Sequence, residues 1–517
     1  MMLNNEKQRV LARTRSRRWR HGRAGTIIFS ILSLLLATSA WFSLIFSGTR
    51  GRHCWHQFKE WEGSPLAFPW QPREPIPRAD QNPNPNPNSN FVHESSNSTS
   101  DLSLKHILFG IAGSSQLWNK RKEFVKLWWR PREMRGHVWL EEEVPWDDSL
   151  PQIRVSEDIS RFSYTNPTGH PSGLRISRIV TESFKLGLPD VRWFVLGDDD
   201  TIFNPDNLLG VLKKYDDSEM FYIGGPSESH SANTYFSHSM AFGGGGIAIS
   251  YPLAAALWRM QDECLERYPK LYGSDDRLHA CISELGVPLT REYGFHQWDI
   301  RGSAHGLLAA HPVAPFVSIH HVEAVDPIFP GANSLDSLKL FTRAMKIDPR
   351  SFLQRSICYD RQRRLTFSVS LGYAVQVFPS IVLPRELDRA EQTFLAWNRL
   401  GHRNEFDFDT RDSYRSTCKR PVIFYLKDIG KNENVTVGSY NRLKGKDDLK
   451  RKVLCFPRSL PLHEVLDIQV TSNPLTEKWA KVPRRLCCKV NQKSNNRLGL
   501  TVGQCEQGKL SSFTDSM

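Results

Sequence analysis

The chain has 517 residues, 39% of them hydrophobic and 24% charged, which is enough apolar material for sizeable cores and too much for a mostly disordered polymer. Its formal charge of +13 is unevenly spread, with a net +7 in residues 1–25, +12 in residues 415–510 and −5 in residues 101–414. A groove for a nucleic-acid backbone is therefore not expected in the largest block, and nine cysteines without a Cys-x-x-Cys pair exclude a disulfide-dense miniprotein and a zinc ribbon.

After the basic tail (1–25), Thr26 to Phe46 is a run of 21 residues without a charge, against about 20 needed to cross a bilayer as a helix. Eight basic residues precede it and only Arg50 and Arg52 follow closely. The positive-inside rule then predicts a single N-terminal transmembrane helix with a cytosolic N-terminus and a lumenal body. A cleaved leader is the poorer reading, since its apolar stretch usually spans only about 7–15 residues. The sequons at Asn97 and Asn434 suit a lumenal chain as candidate N-glycosylation sites. Residues 47–103, with the tract Asn82–Asn88 reading NPNPNPN, form a Pro/Asn/Ser-rich stem.

From residue 104 strands and helices alternate. HILFGIAG reads as a buried strand, WNKRKEFVKLWW as a helix, GHVWLEE as a second strand, Ser172–Leu186 as a helix and Val191–Gly197 as a buried strand. Asn204 and Pro205 then supply an N-cap and first-turn proline for a helix through Lys214. This order implies an α/β domain, three layers around a mostly parallel sheet, with ligands at the carboxyl ends of the strands.

At that edge stand Asp198, Asp199 and Asp200. Three adjacent carboxylates at the end of a buried strand either cap the next helix or hold a divalent ion that offsets their repulsion. Gly243–Gly246 leads into another strand, where the missing side chains allow close backbone approach to a ligand. Asp275 and Asp276 fall at the start of a helix, where acidic residues also simply complement the dipole. His320 and His321 end an apolar run, and one imidazole beside the carboxylates makes a mixed N/O site suited to manganese.

WFVLGDDDTIF, AFGGGGIAIS, GSDDRLHACI and VSIHHVEAVDPIFP, in that order, resemble the Fringe-like, family 31 glycosyltransferases, and in particular the plant Fringe-related group with a C-terminal domain of unknown function. The resemblance implies a GT-A-like fold over residues 104–345, a UDP-sugar donor and manganese-dependent inverting transfer giving a β-linked, commonly β-1,3, product. It implies Asp200 and His321 as metal ligands, Asp198, Asp199, Gly244 and Gly245 on the donor side, and Asp276 as the base, with Asp275 as runner-up. The sequence departs from the family pattern at the extra glycines of Gly243–Gly246, at Ser274 before the acidic pair, and in residues 346–517, which have no counterpart in Fringe itself.

Residues 346–517 read as a β-rich accessory module, on the strand-like alternation of FSVSLGYAVQVFPSIVL. Its six cysteines allow 15 pairings, and Cys264 with Cys281 is a separate candidate pair. The expected protein is a hexosyl- or N-acetylhexosaminyl-transferase, anchored by one helix as a type II protein of the Golgi membrane. Its acceptor is a glycan, glycoprotein, glycolipid or polysaccharide, and it has no nucleic-acid partner. The alternative class is a catalytically silent lumenal carbohydrate-binding or scaffolding protein that keeps the fold.

Overall fold

The computed structural model describes residues 101–398, 405–445, 450, 451, 453–455, 465–492 and 497–508. The expected tail, anchor, almost all of the stem, and Asn97 lie outside the described residues; among those described, no helix is long and apolar enough to cross a membrane. The described residues fall in one compact unit.

Strand β1 (Ile107–Ala112) is buried along its whole length. Successive side chains of a strand point to opposite faces, so Ile107, Phe109 and Ile111 enter one core while Leu108 and Ala112 enter another. A sheet covered on both faces follows, and near-continuous apolar strands are its sequence signature. Helix α1 (Ser115–Lys126) leads to β2 (Arg135–Leu140) and β3 (Gln152–Val155); α2 (Ser172–Ser177) and α3 (Ile179–Lys185) precede β4 (Trp193–Asp198). Then come β5 (Ile202–Phe203), α4 (Pro205–Leu212), β6 (Tyr222–Gly224), α5 (His230–Tyr235), β7 (Ile247–Ser250), α6 (Tyr251–Arg267), α7 (Ser274–Glu284) and β8 (Leu289–Arg291).

The sheet order is β3-β2-β1-β4-β7-β6-β8. Only β7 runs against its neighbours, antiparallel to both β4 and β6, and the other pairings are parallel. The mostly parallel three-layer reading therefore holds. Asn204 caps α4 by accepting from the Asn207 amide at 3.2 Å, with Pro205 in the first turn. The single helix expected over 172–186 is instead two, parted at Arg178. Arg178 is fully buried, and its guanidinium pairs with Glu157, Glu182 and Asp262. Such an ion needs all three partners to offset its desolvation.

A small sheet, ordered β5-β11-β9, sits at the carboxyl edge of the large one and is formed with β9 (Phe295–Gln297) and β11 (Ser318–His320), which flank β10 (Ile300–Gly302). After α8 (Ser334–Ile347) the chain is mostly β. It runs through β12 (Arg355–Asp360), β13 (Leu365–Ser370), β14 (Ala374–Phe378), β15 (Ala390–Glu391), β16 (Phe394–Ala396), β17 (Thr410–Arg411), β18 (Val422–Asn432), β19 (Val435–Arg442), β20 (Asp467–Ser472), β21 (Cys487–Gln492) and β22 (Arg497–Gly503). Eight of these form a sheet, β12-β13-β14-β18-β19-β20-β22-β21. This matches the β-rich expectation. Asn434 lies exposed in the turn between β18 and β19.

The C-terminal sheet does not stand apart from the α/β part. Phe316, Phe341 and Phe352 meet edge to face, with centroids 4.7–5.9 Å apart, and one core holds residues from both regions. Strand β16 pairs antiparallel with β10, joining the two directly.

Four disulfides close the described cysteines: Cys264–Cys281, Cys358–Cys488, Cys418–Cys455 and Cys487–Cys505. The first is the pair expected from sequence, and it ties α6 to α7, 17 residues apart. A loop of that length is worth about 3 kcal/mol in the chain-entropy model. Replacing both cysteines by serine should therefore lower the free energy of unfolding by about that amount in denaturant titrations; no loss of stability would mean that packing alone holds the two helices together.

Candidate active site

Strand β4 ends at Asp198, and the next two aspartates are buried at the carboxyl edge of the sheet. Burial works against the ionisation of Asp199 and carries its carboxyl up to about 6 even though Arg121 donates to it at 2.8 Å. Burial, then the fields of Asp200 and Asp275, push Asp198 up strongly. Burial also opposes ionisation of Asp200, but at the low pH where this carboxyl titrates a protonated His320, with Arg121, holds it below the ordinary carboxylate range. Arg121 Nη2 lies 3.3 Å from Asp200 Oδ2.

His320 Nε2 faces Asp200 Oδ1 at 3.0 Å and Asp198 Oδ2 at 3.4 Å. Its tautomer follows from its neighbours. Gln297 Nε2 donates to Asp299 Oδ1 at 3.1 Å, which turns Gln297 Oε1 toward His320 Nδ1 at 3.0 Å. An amide oxygen only accepts, so Nδ1 carries the proton. Burial lowers the basicity of His320, and the neutral ring therefore points a bare Nε2 lone pair at two carboxylates. Consistently, Asp200 Oδ1 has no hydrogen-bond donor, and neither does the buried Asp199 Oδ2. Ligand atoms of Asp198, Asp200 and His320 lie within 4.8 Å of one another, and carboxylate oxygens with a bare imidazole nitrogen are a donor set for a divalent cation.

The histidine expected at this place, His321, turns elsewhere. It lies just past the end of β11 with φ of +61°, outside the strand conformation, so the two rings leave the backbone differently. Its Nδ1 is 3.0 Å from Asp299 Oδ1, and its ring stacks on Trp397 with centroids 4.7 Å apart and planes 8° apart. The histidine that faces the carboxylates is thus His320, one residue before the one expected.

The acidic pair is also reordered. Asp275 is directed at the glycine run: it accepts from the Gly243 amide and from Ser274 Oγ at 3.0 Å, and burial still carries it up to about 6. Asp276 turns back to the Tyr272 amide at 3.4 Å, at the mouth of its own helix. Asp275, the runner-up in sequence, faces the aspartate cluster, whereas Asp276 does not.

The glycine run makes room for side chains. A Cβ on Gly243 would meet Asp275 Oδ1 at 2.5 Å, and one on Gly244 would meet the His320 ring at 2.2 Å. The carbonyls of Gly244 and Gly245 accept from Thr201 Oγ1 and Ser318 Oγ, which fixes the loop against the ends of β4 and β11.

Beside Asp198 and Asp199 opens a cleft of about 830 Å³, lined by Gly113, Arg121, Glu141 and Arg175 among others. Arg175 is buried and donates to the carbonyls of Trp139 and Gly113 at 3.0 and 2.8 Å, which braces the ends of β2 and β1. Sequence reading missed Arg121, Arg175, Asp299 and Trp397. The two arginines sit in helices whose basic residues look like solvated faces, and Asp299 and Trp397 belong to no motif.

The family model described as Fringe-like matches residues 102–304, and the one described as protein of unknown function, DUF604, matches residues 232–488. The chain carries a Fringe-like domain. The DUF604 match begins within it, at α5, in keeping with the shared core. The β-1,3-glucosyltransferases of Mus musculus and Homo sapiens are 32% and 31% identical over 107 and 105 residues, covering 21% and 20% of this chain and of each relative. The chain thus spans about a fifth of the length of the curated relatives it matches. Among solved structures, the galactosyltransferase LgtC in complex with donor and acceptor sugar analogs has a TM-score of 0.30 at 12% identity, covering 45% of this chain and 95% of that one. Mouse xyloside xylosyltransferase 1 has a TM-score of 0.25 at 10% identity, covering 36% and 84%.

The crowding at Gly244 makes a prediction. Gly244→Ala must displace the His320 ring and should cost about 1–3 kcal/mol of stability, the usual penalty of overpacking. Gly210→Ala, in α4 with nothing within 4 Å of the added Cβ, should gain about 0.5–1 kcal/mol. Urea denaturation of the two variants measures both, and a neutral Gly244→Ala would mean that the histidine is not seated as described.

Proposed function

We propose that this protein is a metal-dependent glycosyltransferase that moves a sugar from a UDP-sugar to an acceptor hydroxyl with inversion, giving a β-linked, β-1,3, product. The observation that carries this reading is the bare His320 Nε2 aimed at Asp198 and Asp200 beside the cleft. The Fringe-like match and the β-1,3-glucosyltransferase relatives support the reaction class. The sugar moved is a hexose or N-acetylhexosamine, and the acceptor is a glycan, glycoprotein, glycolipid or polysaccharide. Residues 26–46 support a type II anchor in the Golgi membrane, with the catalytic body in the lumen.

Asp198, Asp200 and His320 would hold the ion, with manganese suited to this mixed N/O set. A divalent ion bound there neutralises charge developing on the diphosphate leaving group. Arg121 keeps a fixed positive charge at the same edge of the cleft, and its bond to Asp199 aims that carboxylate. Inversion in one displacement needs one base opposite the leaving group to take the acceptor proton. Asp275 suits that work better than Asp276, since its carboxyl is directed at the cluster and titrates at about 6. Trp397 is 43% exposed and lies flat on His321, which gives the C-terminal region an aromatic wall against which an acceptor sugar can stack.

Asp200→Ala and His320→Ala should each weaken manganese-dependent UDP binding in calorimetry, whereas His321→Ala should leave it near wild type. Equal binding in the first two variants would remove the proposed site. Asp275→Asn should keep UDP affinity but lower transfer by about 10²–10⁴-fold, the worth of general-base help, while Asp276→Asn should turn over nearly normally; the reverse pattern restores Asp276 as the base. A base must be deprotonated to act, so transfer should fall as pH drops through about 6 and level off above it. A rate independent of pH between 5 and 8, roughly the window in which such a group titrates, would contradict the assignment of Asp275.

A further inference from the structure

A second cluster of ligating groups lies outside the candidate active site. His230 opens α5, His238 follows that helix on the way to the glycine run, and Asp407 comes from the C-terminal region just before β17. One ligand atom from each lies within 4.8 Å of the others. Asp407 Oδ1 is 2.5 Å from His230 Nδ1, and Asp407 Oδ2 is 3.3 Å from His238 Nε2. Outer partners hold these groups in place: Asn233 Nδ2 donates to Asp407 Oδ2 at 2.7 Å, and Thr234 Oγ1 is 3.3 Å from His230 Nε2. The two segments are also docked through their backbones, with the His230 amide donating to the Glu405 carbonyl at 3.1 Å and an isolated bridge between Ser229 and Phe406.

We propose that His230, His238 and Asp407 form a second cation site, which takes zinc or a chemically similar borderline divalent ion. Two imidazole nitrogens with one carboxylate form a donor set that favours zinc over magnesium or calcium, whose sites are built from oxygen. Three protein ligands leave a fourth position for water. The side chains of His230, His238 and Asp407 are 54%, 55% and 23% exposed, so an ion can enter without opening the fold. Outer-sphere bonds of the kind made by Asn233 and Thr234 orient ligands before the ion arrives. A bound ion would fasten the loop that leads into the glycine run to the C-terminal region, across the place where the two family matches overlap.

The test uses the full-length chain stripped of metal and carrying Asp200→Ala, so that the donor-side cluster is disabled. Titration with zinc chloride in a calorimeter should show one zinc bound per chain. Adding His238→Ala or His238→Gln should weaken that binding by more than about tenfold, the lower end of what losing even an outer partner of a metal site costs. Cobalt in place of zinc should give the visible absorption of a four-coordinate N/O site, which the His238 variants lose. His238 is exposed, and unchanged thermal melting of the metal-free variants would exclude misfolding as the cause. Zinc affinity unaltered by both His238 substitutions, or no zinc bound at all, overturns the site.

Discussion

Three carboxylates in a row at the end of a buried strand are the constraint around which the carboxyl edge of this sheet is organised. Asp199 and Asp200 cannot keep charge there without compensation, and the chain supplies it from Arg121, which reaches across from α1. His320 arrives from β11 with its tautomer set by the Gln297–Asp299 pair and adds no positive charge when neutral. The compensation is incomplete in a specific way. One oxygen of Asp199 and one of Asp200 lack donors, and a lone pair faces the latter. Such an arrangement is unfavourable on its own and favourable around a cation.

The same constraint explains the glycine run and the small sheet. The His320 ring can sit where it does only because Gly244 has no Cβ, and Asp275 can approach only because Gly243 has none. Strand β11 is held between β5 and β9, so the histidine and Gln297 share one register. The C-terminal region shares a common core with these strands. It adds Trp397 against His321 and Asp407 against His230, which makes it part of the surroundings of the site rather than an appendage.

Much of this was legible in the sequence. The alternation of apolar strands and helices from residue 104, the Asn204–Pro205 cap and the alternating strands around 365–378 all appear where periodicity and capping chemistry put them. The Asp198–Asp200 cluster was readable because three acids after an apolar strand demand a physical explanation. At two places the side chain that faces the cluster is one residue away from the one expected from sequence, and for a local reason. Which of two adjacent histidines faces the cluster depends on the left-handed backbone at His321, and which of two adjacent acids faces it depends on how α7 meets Gly243. Neither is encoded in spacing. Arg121 and Trp397 come from elements distant in sequence, and only the packing of the sheet brings them in.

Pulsed electron paramagnetic resonance on the complex of this protein with manganese and UDP measures directly whether His320 is a ligand. Coupling of the ion to one imidazole nitrogen, kept in His321→Ala and lost in His320→Ala, is the result expected from the geometry. Absence of any nitrogen coupling, or its loss with His321 instead, would contradict it.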